Sequence, residues 1–481
     1  MQGLQGLRDD LPLQQGRPGL LRDPPLTRGG RHWAVGAGTA GAFLLGAERA
    51  HAHGLVQRAN LPIPESLFFL AAGVVLVVSF AALGLLWAKP RLEQPAWRPL
   101  PGGALLGSKP VEILCGALGV LTLATTIGAG YLGPDDSLSN FAVIFVFITF
   151  WVGMAFVSVI FGDVFHALNP WRAIGRVLKL KGVRPYPERL GVWPASVALF
   201  AFTWIELVSE WPQHPAQIAT ATVVYSVVTL VGMAIYGTEA WTRHGEGFSV
   251  YFNLLSRISP LEKRGHTVGI RPLLGGLPPM ERPRGIVVFV AVMIGTVTYD
   301  GLSQGAAWRW VAERLDFLGV HGVATLGLLL AVALVAGFYR LGMTGAHTVP
   351  GSPDVTTLAR AFIHSLVPIA AVYVAAHYLS FLVIEGQAIR YTASDPFGQG
   401  WDVFGWASTG IDYGVLSQNA TWYLQVALVV AGHVAALVLA HDRALVLYGQ
   451  ARLAVRSQYW MLGIMVGFTM LALWLLAQAG S

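Results

Sequence analysis

Six ionisable side chains lie in or at the edges of long apolar stretches: Glu206, Glu210, His214, Asp300, His377 and Glu385. Carboxylates and imidazoles move protons near neutral pH and ligate divalent metals. Inside apolar sequence they are costly, which makes each a functional candidate. Glu206 and Glu210 are four residues apart, so a continuous helix would put both carboxylates on one face. His377 and Glu385 are eight apart, about two turns, and would share a face in the same way. On this reading Glu206, Asp300 and His377 carry catalysis. Glu210, His214 and Glu385, together with His53, would hold a divalent transition metal, which generates hydroxide from bound water at neutral pH. His53 joins the set because cleavage after Ala52 would bring its free amine and its ring nitrogen together at a new N-terminus.

A second group is made of Asp163, His166, His364 and His441, towards the other ends of the apolar stretches, and His433 within one. Asp163 and His166 belong to the most distinctive text of the chain, FGDVFHALNPWRAIGR at 161–176. Three apart, they would share a helix face. The rest of that block reads as an anchor, in which Pro170 stops a helix, Trp171 sits at a membrane interface and Arg172 and Arg176 mark the basic side. His433, in mid-stretch, reads as a neutral imidazole bonded to a backbone carbonyl, against an alternative functional role. Gly301–Gly305 fits G-x-S-x-G around Ser303, but that motif needs a preceding strand, and here an apolar helix precedes it. Gly36–Gly41 fits G-x-G-x-x-G with no strand before it and carries no weight.

The elements that must position these residues are membrane helices. Hydrophobic residues make up 54% of the 481 and charged ones only 12%, half of what a soluble domain carries. Stretches of the length that crosses a bilayer fall at 65–88, 111–132, 140–161, 192–211, 216–236, 285–302, 320–339, 357–384, 421–440 and 459–478. The expected fold is therefore all-α, a polytopic bundle of about ten transmembrane helices. Residues 1–52 read as a leader with a cleaved signal peptide, built from the apolar run 33–47 and Ala50-His51-Ala52, and 53–481 as one membrane domain. Twenty-two Lys and Arg fall in the segments after the odd-numbered spans, against Arg58, Arg309, Arg314 and Arg390 on the opposite side. By the positive-inside rule both mature termini lie outside a bacterial inner membrane. The basic excess, +6 overall, then belongs to cytoplasmic loops and not to nucleic-acid binding. The lone Cys115 excludes an internal disulfide framework. The loop 386–420, rich in Gly and aromatic residues, reads as a lid. Short amphipathic helices are expected at 251–258 and 307–318, and a kink at Pro368.

Three stretches resemble a family of bacterial membrane proteins known as fenitrothion hydrolases: HAHGLVQRANLPIPESLF from 51, the FGDVFHALNPWRAIGR block, and Tyr299-Asp300-Gly301-Leu302-Ser303. The resemblance implies hydrolysis of a neutral organophosphate triester with release of a phenol, and it assigns no catalytic residues. Such an apolar small molecule partitions into lipid, so a membrane enzyme could take it from the bilayer. Two other classes fit the residues. One is a transporter with Glu206, His377 and His433 as a proton or metal relay. The other is a non-catalytic membrane subunit that anchors a partner.

Overall fold

The computed structural model describes residues 65–478; the leader, the cleavage site and His53 lie outside them. Ten apolar helices stand where hydropathy puts them. They are α1 (Glu65–Leu86), α2 (Lys109–Leu132), α3 (Phe141–Phe161), α4 (Trp193–Leu207), α5 (Pro215–Tyr236), α6 (Ile286–Ser303), α7 (Gly319–His347), α8 (Val355–His377), α9 (Gln418–Tyr448) and α10 (Tyr459–Gln478). Eight of them are long and apolar enough to cross a membrane. The others are α4, only 15 residues, and α10, which follows the short helix Ala451–Ser457 at a 42° bend. The most buried is α6, packed by α4, α7, α8 and α10. By contrast α1, α2 and α7 expose rows of Leu and Val, as helices bathed in hydrocarbon do.

Several helices are irregular. Residues Ile144–Gly153 of α3 wind as a π-helix, a rare form that is frequently found at functional sites. Pro368 stands in the first turn of Val367–His377, after a 3₁₀ turn at Ile363–Leu366. The expected span 357–384 breaks at Tyr378, and Leu379–Val383, Glu385–Ala388 and Ile389–Ser394 follow as short separate turns. The loop after Ser394 packs over the ends of α2 and α3, with Phe397 on Gly128 and Gly398 on Pro134. In place of one amphipathic helix at 307–318, Ala306–Ala312 is followed by a 3₁₀ turn at Asp316–Leu318.

The largest departure from the sequence reading is at 161–176. Pro170 does not stop α3, which ends at Phe161: it follows the end of the short helix Val164–Leu168 and is the first residue of Pro170–Val177, where a proline's missing N–H costs nothing. The chain leaves α3 at Gly162, which adopts φ +84° against the Leu261 carbonyl. It then re-enters the bundle through Val164–Leu168, turns at Asn169 and comes back along Pro170–Val177. Gly119 lies against Leu168 and Pro170, Gly116 against Ala173, and Glu112 pairs with Arg172. Gly119 is ten residues into α2, so the turn sits about 15 Å from that helix's start. Trp171 is therefore buried and not interfacial, its Nε1 donating to Ser226 Oγ at 2.8 Å. Arg172 is buried too, bonded to Glu112 at 2.7 Å and to Glu239 at 3.2 Å. Arg176 joins the same two carboxylates.

A second short helix meets this turn. The short amphipathic helix expected at 251–258 is instead Gly247–Ser256, with nine of its ten residues buried. Glu246 caps it, accepting from Phe248 N at 2.9 Å and Ser249 N at 2.8 Å. The same carboxylate accepts from Asn169 Nδ2 at 3.2 Å and from the Tyr225 hydroxyl. Asn169 in turn caps its own helix through Arg172 N, 2.8 Å. Two helix N-termini thus meet inside the bundle, with a carboxylate between them where both dipoles favour negative charge. Near the same end a small antiparallel sheet, order β1-β3-β2, joins Arg98–Pro99 (β1), Leu261–Arg264 (β2) and Thr267–Ile270 (β3).

Candidate functional site

The site forms where α4, α6 and α8 end together. Asp300 stands near the C-terminal end of α6, and His377 is the last residue of α8. His377 Nε2 donates to Asp300 Oδ2 at 2.8 Å, and the Tyr378 hydroxyl donates to the same oxygen at 2.8 Å. Successive residues of a regular helix point about 100° apart. The helix breaks at Tyr378 (φ −97°, ψ 13°), and this lets two adjacent side chains converge on one oxygen. All three groups are buried.

Glu206 completes the cluster from α4. It is 95% buried, and neither of its carboxylate oxygens has a hydrogen-bond partner among the described residues. α4 packs against α6, the helix that carries Asp300. The buried helix Gly247–Ser256 packs on α4, and its Tyr251 hydroxyl likewise has no hydrogen-bond partner among the described residues. Tyr251 stacks on Trp151, midway along α3, with centroids 4.7 Å apart. A buried polar group with no partner is rare and calls for a specific explanation. Here two of them, a carboxyl and a phenol, belong to one cluster.

His377 also borders a cavity of about 20 Å³, lined with Val297, Gly301, Tyr373, Ala376, Val429, Ala472 and Leu475. That is room for one water. The face of the ring carrying Nδ1 lies towards Gly301, so the nitrogen not engaged by Asp300 is the one nearest this space.

The structure thus brings together the three residues expected to carry catalysis, Glu206, Asp300 and His377. Of the expected metal ligands, Glu210, His214 and Glu385 stand apart from them, and His53 lies outside the described residues. α4 ends at Leu207, so Glu210 and His214 lie beyond it, exposed, and Glu210 does not share a helix face with Glu206. The break at Tyr378 likewise removes the shared face expected for His377 and Glu385. Glu385 sits half-buried in a separate 3₁₀ turn, its carboxyl pushed above the usual range by burial. Among the described residues no group of three or more His, Cys, Asp or Glu is arranged to hold a metal ion.

The second group is not one site. Asp163 caps Val164–Leu168 and accepts from Asn253 Nδ2 at 2.7 Å. His166, in the same turn, has its pKa lowered by burial against the opposing pull of Asp163. His441 donates from Nε2 to the Trp87 carbonyl at 3.0 Å and accepts from Gln458 at 3.2 Å. Its neighbour Asp442 anchors the chain after α1 through Trp87 Nε1, Arg91 N and Leu92 N. His364 is buried near Arg443 and Arg282. His433 donates from Nδ1 to the Val429 carbonyl at 2.7 Å, and its Nε2 has no partner among the described residues. Ser303 Oγ donates to the Asp300 carbonyl at 2.7 Å and ends a helix, so it is no nucleophile elbow.

Sequence reasoning missed Tyr378, Tyr251, Glu246 and Tyr225. Tyr378 was legible as the neighbour of His377. The other three needed the knowledge that 238–256 folds inwards.

The eight membrane-length apolar helices, with their lipid-type surfaces, fit a multi-pass membrane protein. No protein-family model, no curated protein and no solved structure matches the chain.

Proposed function

We propose that this is a proton-handling membrane protein of the transporter class, with Glu206, Asp300, His377 and Tyr378 as its working site. The observation that carries this reading is the unpartnered, buried Glu206 beside the Asp300–His377 pair. A carboxyl group with neither oxygen bonded, in an apolar interior, must be served by a proton or a cation. His377 and Tyr378 are the groups through which Asp300 could give or take that proton. A space for one water next to His377 suits a proton relay. On this reading the chain makes ten spans in a bacterial inner membrane with both mature termini outside, in line with the distribution of Lys and Arg.

The test is proton flux into liposomes containing the purified protein and an internal pH dye. Flux above that of empty liposomes, lost in Glu206→Gln and His377→Ala, is the expected result. Flux that is unchanged in both variants sinks the reading.

A second reading is favoured by one observation, the position of His377 between Asp300 and the one-water cavity. Oriented by Asp300, His377 Nδ1 takes a proton from that water, and the oxygen attacks the phosphorus of a neutral triester. The P–O bond to the aryl group breaks, and the leaving phenolate takes the proton back. This is the hydrolysis that the family resemblance implies, with His377 as base in place of a metal-activated water. It requires an opening of the bundle to admit the triester. Release of 4-nitrophenol from a chromogenic triester, abolished by His377→Ala, would support it. Turnover that persists in that variant excludes it.

A further inference from the structure

Glu246 is a buried acid that the working site leaves unused, at the meeting of the re-entrant turn with Gly247–Ser256. Its Oε1 accepts from Phe248 N at 2.9 Å and from the Tyr225 hydroxyl. Its Oε2 accepts from Ser249 N at 2.8 Å and from Asn169 Nδ2 at 3.2 Å. None of these four donors is a cation. A helix cap alone is served as well by a neutral Asn or Ser. Short helices that meet inside a membrane bundle mark ion and substrate sites, and a buried ionisable group there marks a proton relay. The turn lies about 15 Å in from the start of α2, half of the roughly 30 Å hydrocarbon core. Tyr225 is the one donor of the four that can also give up or take a proton, as Tyr378 can beside Asp300.

Contacts lead from Glu246 both to the centre and to the surface. Towards the centre, the Phe248 ring meets Tyr225 at 5.3 Å and Phe202 at 5.1 Å, centroid to centroid. Phe202 is one turn before Glu206 on α4, so the two share a face. Trp151 joins them, 4.9 Å from Phe202 and 4.7 Å from Tyr251, whose hydroxyl has no partner among the described residues. One aromatic layer therefore connects the two acids. Towards the surface, Asn169 Oδ1 accepts from Arg172 N, and the Arg172 guanidinium reaches Glu112 and Glu239. Glu239 is exposed.

We propose that Glu246 is a second proton-binding group of the same pathway, between the aromatic layer and the Arg172 clamp, with Tyr225 as the hydroxyl that exchanges protons with it. This rests on the proton-handling reading of Glu206 and Asp300. A proton that leaves Glu206 neutralises the Glu246 carboxylate and departs towards the clamp, so only O–H bonds are made and broken. Phe202 and Phe248 cannot carry a proton, so transfer needs their layer to move.

Infrared pH-difference spectra and proton flux into liposomes, both on the full protein, test the proposal. The wild type should show a carboxyl C=O band on proton uptake that is missing in Glu246→Asn and shifted in Glu246→Asp. Flux should fall roughly a hundredfold in Glu246→Asn, the low end for loss of a proton-transfer group, and be largely retained in Glu246→Asp. Asp and Asn cap a helix about equally well, so a purely structural Glu246 would leave these two variants alike. Tyr225→Phe, which keeps both cap bonds, should slow flux as well. Equal flux in the Asp and Asn variants overturns the proposal, as does a wild-type spectrum with no band that Glu246→Asn removes. A wild type without flux sinks the proton-handling reading instead, and the infrared band then still decides whether Glu246 takes a proton.

Discussion

Asp300 accepts from both His377 and Tyr378, whereas Glu206 accepts from neither, so the two carboxylates have opposite structural weight. Removing Asp300 orphans two buried donors. Asp300→Ala is expected to cost roughly 2–6 kcal/mol, since each buried donor left without a partner costs about 1–3 kcal/mol. Glu206→Gln keeps shape and breaks no hydrogen bond, so its melting temperature should stay within a few degrees of wild type while function is lost. Tryptophan-fluorescence melting in detergent compares them; equal destabilisation would show that Glu206 is held by partners after all. Glu206, Asp300 and His377 were legible because ionisable groups in apolar text are conspicuous. Tyr378 could have been read as the neighbour of His377, whereas Tyr251 could not, since it belongs to a short helix in a loop whose inward fold depends on tertiary contacts. Glu210 and Glu385 were misread because a shared face presumes an unbroken helix, and α4 and α8 end before reaching them.

At the scale of elements, the re-entrant turn is held by a clamp of Arg172 and Arg176 on Glu112 and Glu239. Burial opposes the charge on Glu239, but the two guanidiniums outweigh it and hold its pKa below the ordinary carboxylate value. The folded pKa is therefore the lower one. The clamp's contribution is complete above the ordinary value and is lost as pH falls through the lowered one. Glu239→Gln should melt below wild type at neutral pH, and the two curves should converge in acid. A gap of constant size across that range would assign the loss to packing. Hydropathy shows apolar helices well, because each needs only its own residues to be recognised. It misses the re-entrant turn because Pro170–Val177 alone is short and amphipathic, as an interfacial helix is. Gly116 and Gly119, which admit it, lie fifty residues earlier in ordinary apolar sequence.

For the whole molecule, the proposed orientation makes a direct prediction. Alkaline phosphatase fused to the C-terminus should be active, since it folds only outside the inner membrane, and a fusion in the loop before α6 should be inactive. The reverse pattern would invert the bundle. Membrane class followed from composition and helix positions from the apolar runs along the chain, whereas the broken ends that build the site follow from packing and had to be seen. The re-entrant turn also sets an order of assembly. Its polar tip at Asn169 is satisfied by Glu246 and Ser249, and Trp171 by Ser226, all made fifty-five or more residues later. Until those residues leave the ribosome the turn cannot lie in lipid with its polar groups met. A nascent chain halted after α4 should therefore leave 162–177 open to protease on the ribosome side, and one halted beyond 256 should shield it. The membrane domain would then close in stages, with its most distinctive sequence waiting at the surface for its partners.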